Sequence, residues 1–189
     1  MTIDRRTFLV GASAALGSRT LRAEVAFTSE VDRLVSAVRY AEIYQAQARW
    51  VLGKAEVPTT EAQRKFNVLM DRTASVPPSA LRPVIVQSFA EFLSEGDAKE
   101  LAEFFELPVG RTITEMSIAA FSKYDGNLAM ARGALNLSAS DRARYAELSR
   151  SKAFANYSAL ITSRQFAERL IRRLVASPAF ADLGLVGTF

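Results

Sequence analysis

The stretch Leu93-Ser-Glu-Gly-Asp-Ala-Lys-Glu-Leu-Ala-Glu-Phe-Phe-Glu-Leu-Pro-Val-Gly-Arg111 decides the fold. Ser94 followed three residues later by Asp97 is a capping box. The Ser94 hydroxyl can accept from the amide of residue 97, and the Asp97 carboxylate can reach back. Ala98 to Phe105 then carry helix-forming residues with Leu101, Phe104 and Phe105 on one side. The helix must stop before Pro108, because the residue preceding a proline is pushed out of helical geometry. Pro108 is well placed at the first position of the next helix, where its missing N–H costs nothing. Gly110, one turn in, has no side chain and lets the two helices approach closely. Ile113, Met116, Ile118 and Phe121 continue the apolar surface. Two helices joined by so short a corner predict helix-on-helix packing, hence an all-α fold.

The pattern recurs forty-four residues later. Leu137-Ser138-x-x-Asp141 with Ala146-Glu147 matches Leu93-Ser94-x-x-Asp97 with Ala102-Glu103, five identities in eleven positions. This predicts a duplicated helical hairpin, set against convergence on a common capping box.

Outward from there the period stays helical, and no stretch alternates with period two. Residues 30 to 52 place Val31, Leu34, Val35, Val38, Ala41, Ala48, Val51 and Leu52 on one stripe, a long helix ended by Gly53 with Pro58 beyond. Thr60 caps a helix to about Ser75, with Phe66, Leu69 and Met70 on its apolar side. Pro77-Pro78 forces a break, and a helix from Pro78 to about Leu93 carries Leu81, Val84, Ile85, Phe89 and Phe92. The last long helix spans about Ser158 to Ala176, and Ser177-Pro178 starts a short final segment. The expectation is one all-α bundle of six or seven helices over residues 24–189, with no linker long enough to divide it.

The chain has 189 residues, 49% hydrophobic and 23% charged, with neither cysteine nor histidine. That composition excludes disulfides, thiolate or imidazole metal sites and any His-dependent acid–base mechanism. An all-carboxylate cation site survives in principle, but Asp125-Gly126-Asn127 reads as a turn. No cofactor is expected.

The opening run Asp4-Arg5-Arg6-Thr7-Phe8-Leu9-Val10 resembles the twin-arginine export signature, with Arg5, Arg6, Phe8 and Leu9 on the matching positions. The apolar part, Phe8 to Leu16, rises only about 14 Å as a helix, too short for a membrane span. A charged start, a short apolar middle and a small-residue end describe a signal peptide over residues 1–23, cut after Ala23. Arg5, Arg6, Arg19 and Arg22 against Asp4 give this leader +3 of the chain's +4. The remainder is close to neutral, which argues against nucleic acid. The implied partners are the twin-arginine machinery and a signal peptidase, and the implied location is periplasmic or secreted.

Residues 89–123, and above all Phe92 to Arg111, resemble the uncharacterised bacterial family labelled "domain of unknown function 2059", whose members are mostly exported helical proteins. The family motif is matched by Ser94, Leu101, Phe104, Phe105, Pro108, Gly110 and Arg111. Phe105 stands where the family has Tyr. Leu107 stands where it has a capping Ser, a loss of about 1 kcal/mol of cap energy. The resemblance covers about a fifth of the chain and implies an all-α fold and export. It implies no catalytic residues.

Three constellations bear on function. Glu91, Glu95, Asp97, Glu100, Glu103 and Glu106 stand against Lys99 alone. They form a solvated, dipole-favoured face or a carboxylate site, in which Glu91 between Phe89 and Phe92 would be the raised-pKa acid of a hydrolase. Arg164, Arg169, Arg172 and Arg173 make the last helix basic on one side, suited to an anionic membrane surface, an acidic partner or the chain's own acidic helix. Tyr40, Tyr44 and Trp50 fall at near-helical spacing, as core or as the wall of an apolar-ligand pocket. The leading expectation is a non-enzymatic binding or interaction protein whose partner is an envelope protein or an apolar ligand. Next come a helical subunit accompanying a twin-arginine-exported cofactor enzyme and a carboxylate-dependent envelope hydrolase.

Overall fold

The computed structural model describes residues 30–135 and 137–188. The leader, with Arg5, Arg6, Phe8 and Leu9, lies outside the described residues. Within them the chain is helical without strands, a single all-α domain. In order come α1 (30–37), α2 (Tyr40–Lys54), α3 (Glu61–Ser75), α4 (Pro78–Ala90) and α5 (Glu95–Phe105). There follow α6 (Pro108–Lys123), α7 (Leu128–Gly133), α8 (Ala139–Leu148), α9 (Lys152–Ile161), α10 (Arg164–Ala176) and a 3₁₀ turn, Pro178–Leu183. The count exceeds the expected six or seven.

Helix starts follow local chemistry. Thr60 and Gln63 close a full capping box on α3. Ser94, Asn127, Ser138 and Ser151 each accept the backbone N–H three residues on. Pro78 and Pro108 occupy the first turn of α4 and α6. One detail of the capping box at Ser94 differs from expectation. Asp97 does not reach back; its carboxylate accepts from Asn156 Nδ2 at 2.8 Å and ties α5 to α9.

Two helices that periodicity reads as continuous are broken. The expected helix 30–52 turns at Val38-Arg39, where Arg39 sits in the left-handed region at φ 52°, ψ 44°. That conformation costs a non-glycine residue about 1–2 kcal/mol. Tertiary contacts offset it: α2 packs against α3, α4 and α6, and Tyr40 meets Phe89 edge-on at 4.8 Å. Gln45 reaches the carbonyl of Val76 in the α3–α4 loop. Gly53 lies inside α2, which ends one residue later at Lys54. The expected final helix 158–176 is α9 and α10, parted at Thr162-Ser163. There the Thr162 hydroxyl turns back to the Ser158 carbonyl, and Ser163 caps α10.

α2 is the central helix. α4 packs on α2 and α10, α5 on α6 and α9, and the 3₁₀ turn joins α10 to α3. Phe89, Phe166, Phe180, Leu101, Leu170 and Leu174 are buried at the centre. Phe89 is the hub of the aromatic contacts, with Phe166 edge-on at 5.0 Å and Tyr157 at 6.2 Å. At the α5–α6 corner Gly110 is buried. A Cβ built on it would lie 2.4 Å from both the Phe104 carbonyl oxygen and the Phe105 Cα. The close approach expected from sequence is present.

The repeated motif reproduces its cap but not its burial. Ser138 caps α8 as Ser94 caps α5. However, α5 buries Ala98, Leu101, Ala102, Phe104 and Phe105, whereas α8 buries only Leu148. Forty-four residues on, Pro108 and Gly110 correspond to Lys152 and Phe154, so nothing forces a second tight corner.

Candidate functional site

The acidic run of residues 91–106 is divided by the fold. Glu91 receives Arg169 at 2.9 Å and also pairs with Arg173. Arg169 lies over the Phe92 ring, 5.2 Å from its centroid. The hydrogen bond from Arg169, ahead of the charges of Arg173 and Arg169, holds the Glu91 carboxyl below the usual carboxylate range. A glycosidase-type general acid needs the opposite shift. Glu106 is held the same way by the Arg33 fork at 2.7 and 2.5 Å. Arg111 donates to the Glu106 backbone carbonyl. Among the described residues no group of three or more acids is placed to hold a metal ion.

Glu91 therefore links α4 to α10, and its contribution has a defined pH sign. A carboxyl whose folded pKa is depressed stabilises the fold above its unfolded value. That contribution is lost as pH falls through the folded one. The expected result is that Glu91→Gln flattens the stability curve below about pH 4.5, with Glu106 and Asp125 supplying the slope that remains. Urea unfolding at pH 3 to 7 checks it, and an unchanged slope would contradict the assignment.

Glu100 and Glu103 are different. With Glu147 of α8 they pair with no basic group among the described residues. All three line an open groove of about 550 Å³ between α5 and α8, with Phe104, Leu107, Arg144, Leu148 and Ser151. Phe104 and Leu148 are buried in its floor, while Leu107 stands 39% exposed. The eight lining residues are the same four positions of the two motif copies. Glu100, Glu103, Phe104 and Leu107 correspond to Arg144, Glu147, Leu148 and Ser151 at the offset of forty-four. Each wall of the groove is thus one copy of the motif. Sequence reading singled out none of Leu107, Arg144, Glu147 and Leu148 as functional. The signal in the sequence was the repeat itself, and the packing of the fold sets its like positions face to face.

A second groove, of about 590 Å³, runs beside α1, α2 and α4. It contains the paired Asp32 and Arg82, joined by a fork at 2.8 and 2.7 Å. Its principal opposite charges therefore satisfy each other.

The remaining candidates are placed as follows. Of the basic face, Arg169 and Arg173 turn to Glu91, the internal use considered for it, and Arg164 pairs with Glu168 at 2.8 Å. Arg172 has no acidic partner among the described residues and borders a small notch with Val186. Tyr40 and Tyr44 pack in or against the core, and burial pushes the Tyr44 hydroxyl up to about 12. Trp50 donates its Nε1–H to Asp125 Oδ1 at 2.9 Å, and Lys54 binds the same carboxylate. Its ring lies over Gly126, which with Asp125 forms the expected turn at positive φ. The three aromatics therefore do not converge on one pocket: two serve the core and one braces a turn. No described helix is long and apolar enough to cross a membrane. No protein-family model, curated protein or solved structure matches the chain.

Proposed function

We propose that this protein is exported through the twin-arginine route and acts in the periplasm as a non-enzymatic binding protein, with the α5–α8 groove as its docking face. The observation that carries the reading is the groove itself. It joins unpaired carboxylates to an apolar floor and an exposed Leu107, whereas Glu91 and Glu106 are consumed by internal ion pairs. Ligand-binding clefts fall in this size range, and a chain without His or Cys has no imidazole or thiol for acid–base or covalent chemistry. The leader over residues 1–23 and the resemblance of residues 89–123 to the exported helical family both support the location.

Two measurements test the parts separately. Replacing Arg5 and Arg6 by lysine is expected to leave the protein in the cytoplasm, read by cell fractionation; unchanged export removes the twin-arginine assignment. Affinity capture of the mature protein from the cell envelope is expected to yield a partner. Leu107→Asp should lose it, and Arg172→Asp, on α10, should keep it. A partner retained by Leu107→Asp moves the docking face elsewhere.

A further inference from the structure

We infer that the α5–α8 groove takes one amphipathic helix of a partner protein, with an apolar stripe flanked by Lys or Arg. This rests on the reading of the groove as a docking face and names the chemistry of its occupant. The argument is charge complementarity around an apolar floor. Leu107 offers exposed aliphatic surface above the buried Phe104 and Leu148 of the floor. Glu100 and Glu103 border it from α5 and Glu147 from α8, opposed only by Arg144. None of the three carboxylates has a basic partner among the described residues, although the same chain pairs Glu91 and Glu106 with arginines. An acidic or anionic occupant would meet three like charges. A basic apolar helix would satisfy all three while covering the floor, the helix-in-groove mode of recognition.

The walls also suit insertion of a helix. α8 buries only Leu148, and Tyr145 lies beside Phe104 in a tilted contact at 6.3 Å and meets Phe154 of α9 edge-on at 6.1 Å. A wall held by so few buried groups can move outward at small cost, whereas α5 is fixed by five buried residues.

The test uses the full-length protein and a synthetic eighteen-residue Leu/Lys amphipathic helix, with a Leu/Glu helix of the same pattern as control. Binding is followed by fluorescence anisotropy. The Leu/Lys peptide is expected to bind, more weakly as salt rises, and the Leu/Glu peptide not to bind. The variant Glu100→Gln, Glu103→Gln, Glu147→Gln should weaken binding roughly ten-fold, since exposed pairs are individually small and act together here. A charge-matched variant, Glu56→Gln, Glu61→Gln, Glu115→Gln, should bind as the parent does. Equal weakening in both variants, or in neither, overturns the proposal. So does binding of phosphatidylglycerol vesicles in place of the peptide. If peptide binding fails while envelope capture still depends on Leu107, the docking face stands and only the basic helix is excluded.

Discussion

Gly110→Ala is expected to destabilise the protein by about 2 kcal/mol, although alanine is the better helix former. The added Cβ would sit 2.4 Å from the Phe104 carbonyl oxygen and the Phe105 Cα and 2.9 Å from the Phe105 carbonyl carbon. These are backbone atoms of α5, so no rotamer change relieves the clash. α5 and α6 must move apart, and the contacts among Leu101, Phe105, Val109 and Ile113 loosen with them. Overpacking of this kind typically costs about 1–3 kcal/mol and sometimes more, against a propensity gain of about 1. Gly53→Ala is the matched control. Gly53 is exposed inside α2, and a Cβ there meets nothing within 4 Å. It should stabilise by up to about 1 kcal/mol, because only propensity and unfolded-state entropy change. Urea unfolding of the two variants should move the midpoint in opposite directions. Two shifts of the same sign would mean that the α5–α6 corner tolerates a side chain.

Phe89→Ala should cost about 3–5 kcal/mol, a large share of the stability of a domain this size. Phe89 is 1% exposed and touches rings from three other helices: Tyr40 on α2, Tyr157 on α9 and Phe166 on α10. Its removal leaves a cavity that those helices cannot all close at once, because each is fixed elsewhere. Arg169 and Arg173 hold α10 to Glu91, and Asn156 holds α9 to Asp97. The loss should appear in thermal unfolding as a fall of roughly 10 °C or more. Phe121→Ala, at a half-buried ring beside Trp50, should cost much less. A loss at Phe89 below about 1.5 kcal/mol would place the hub elsewhere.

The elements that were legible share one property: their signals are closed within a few residues. The cap at Thr60, the Pro108 start and the Gly110 corner each depend on atoms at most one or two turns away. Their residue types announce them. The break at Arg39 carries no such sign, whereas the one at Thr162 rests on the local bonds of Thr162 and Ser163. Arg39 is an ordinary helix former, and it adopts a left-handed backbone because Tyr40 and Gln45 are wanted by Phe89 and by the Val76 carbonyl. The division of the acidic run was equally hidden. Glu91, Glu100 and Glu106 look alike in sequence, and only the positions of Arg169, Arg173 and Arg33 make two of them internal anchors and leave the third facing a groove.

By itself, then, the sequence determined the helical class, the capped helix starts, the tight α5–α6 corner and the absence of thiol and imidazole chemistry. These follow from backbone sterics, side-chain hydrogen bonding and composition, which act locally. Where helices bend, which carboxylates stay unpaired and that two copies of one motif face each other were decided by the tertiary structure. Those outcomes depend on groups about thirty to eighty residues apart in the chain, such as Arg33 and Glu106, which share no local signal until packing brings them together.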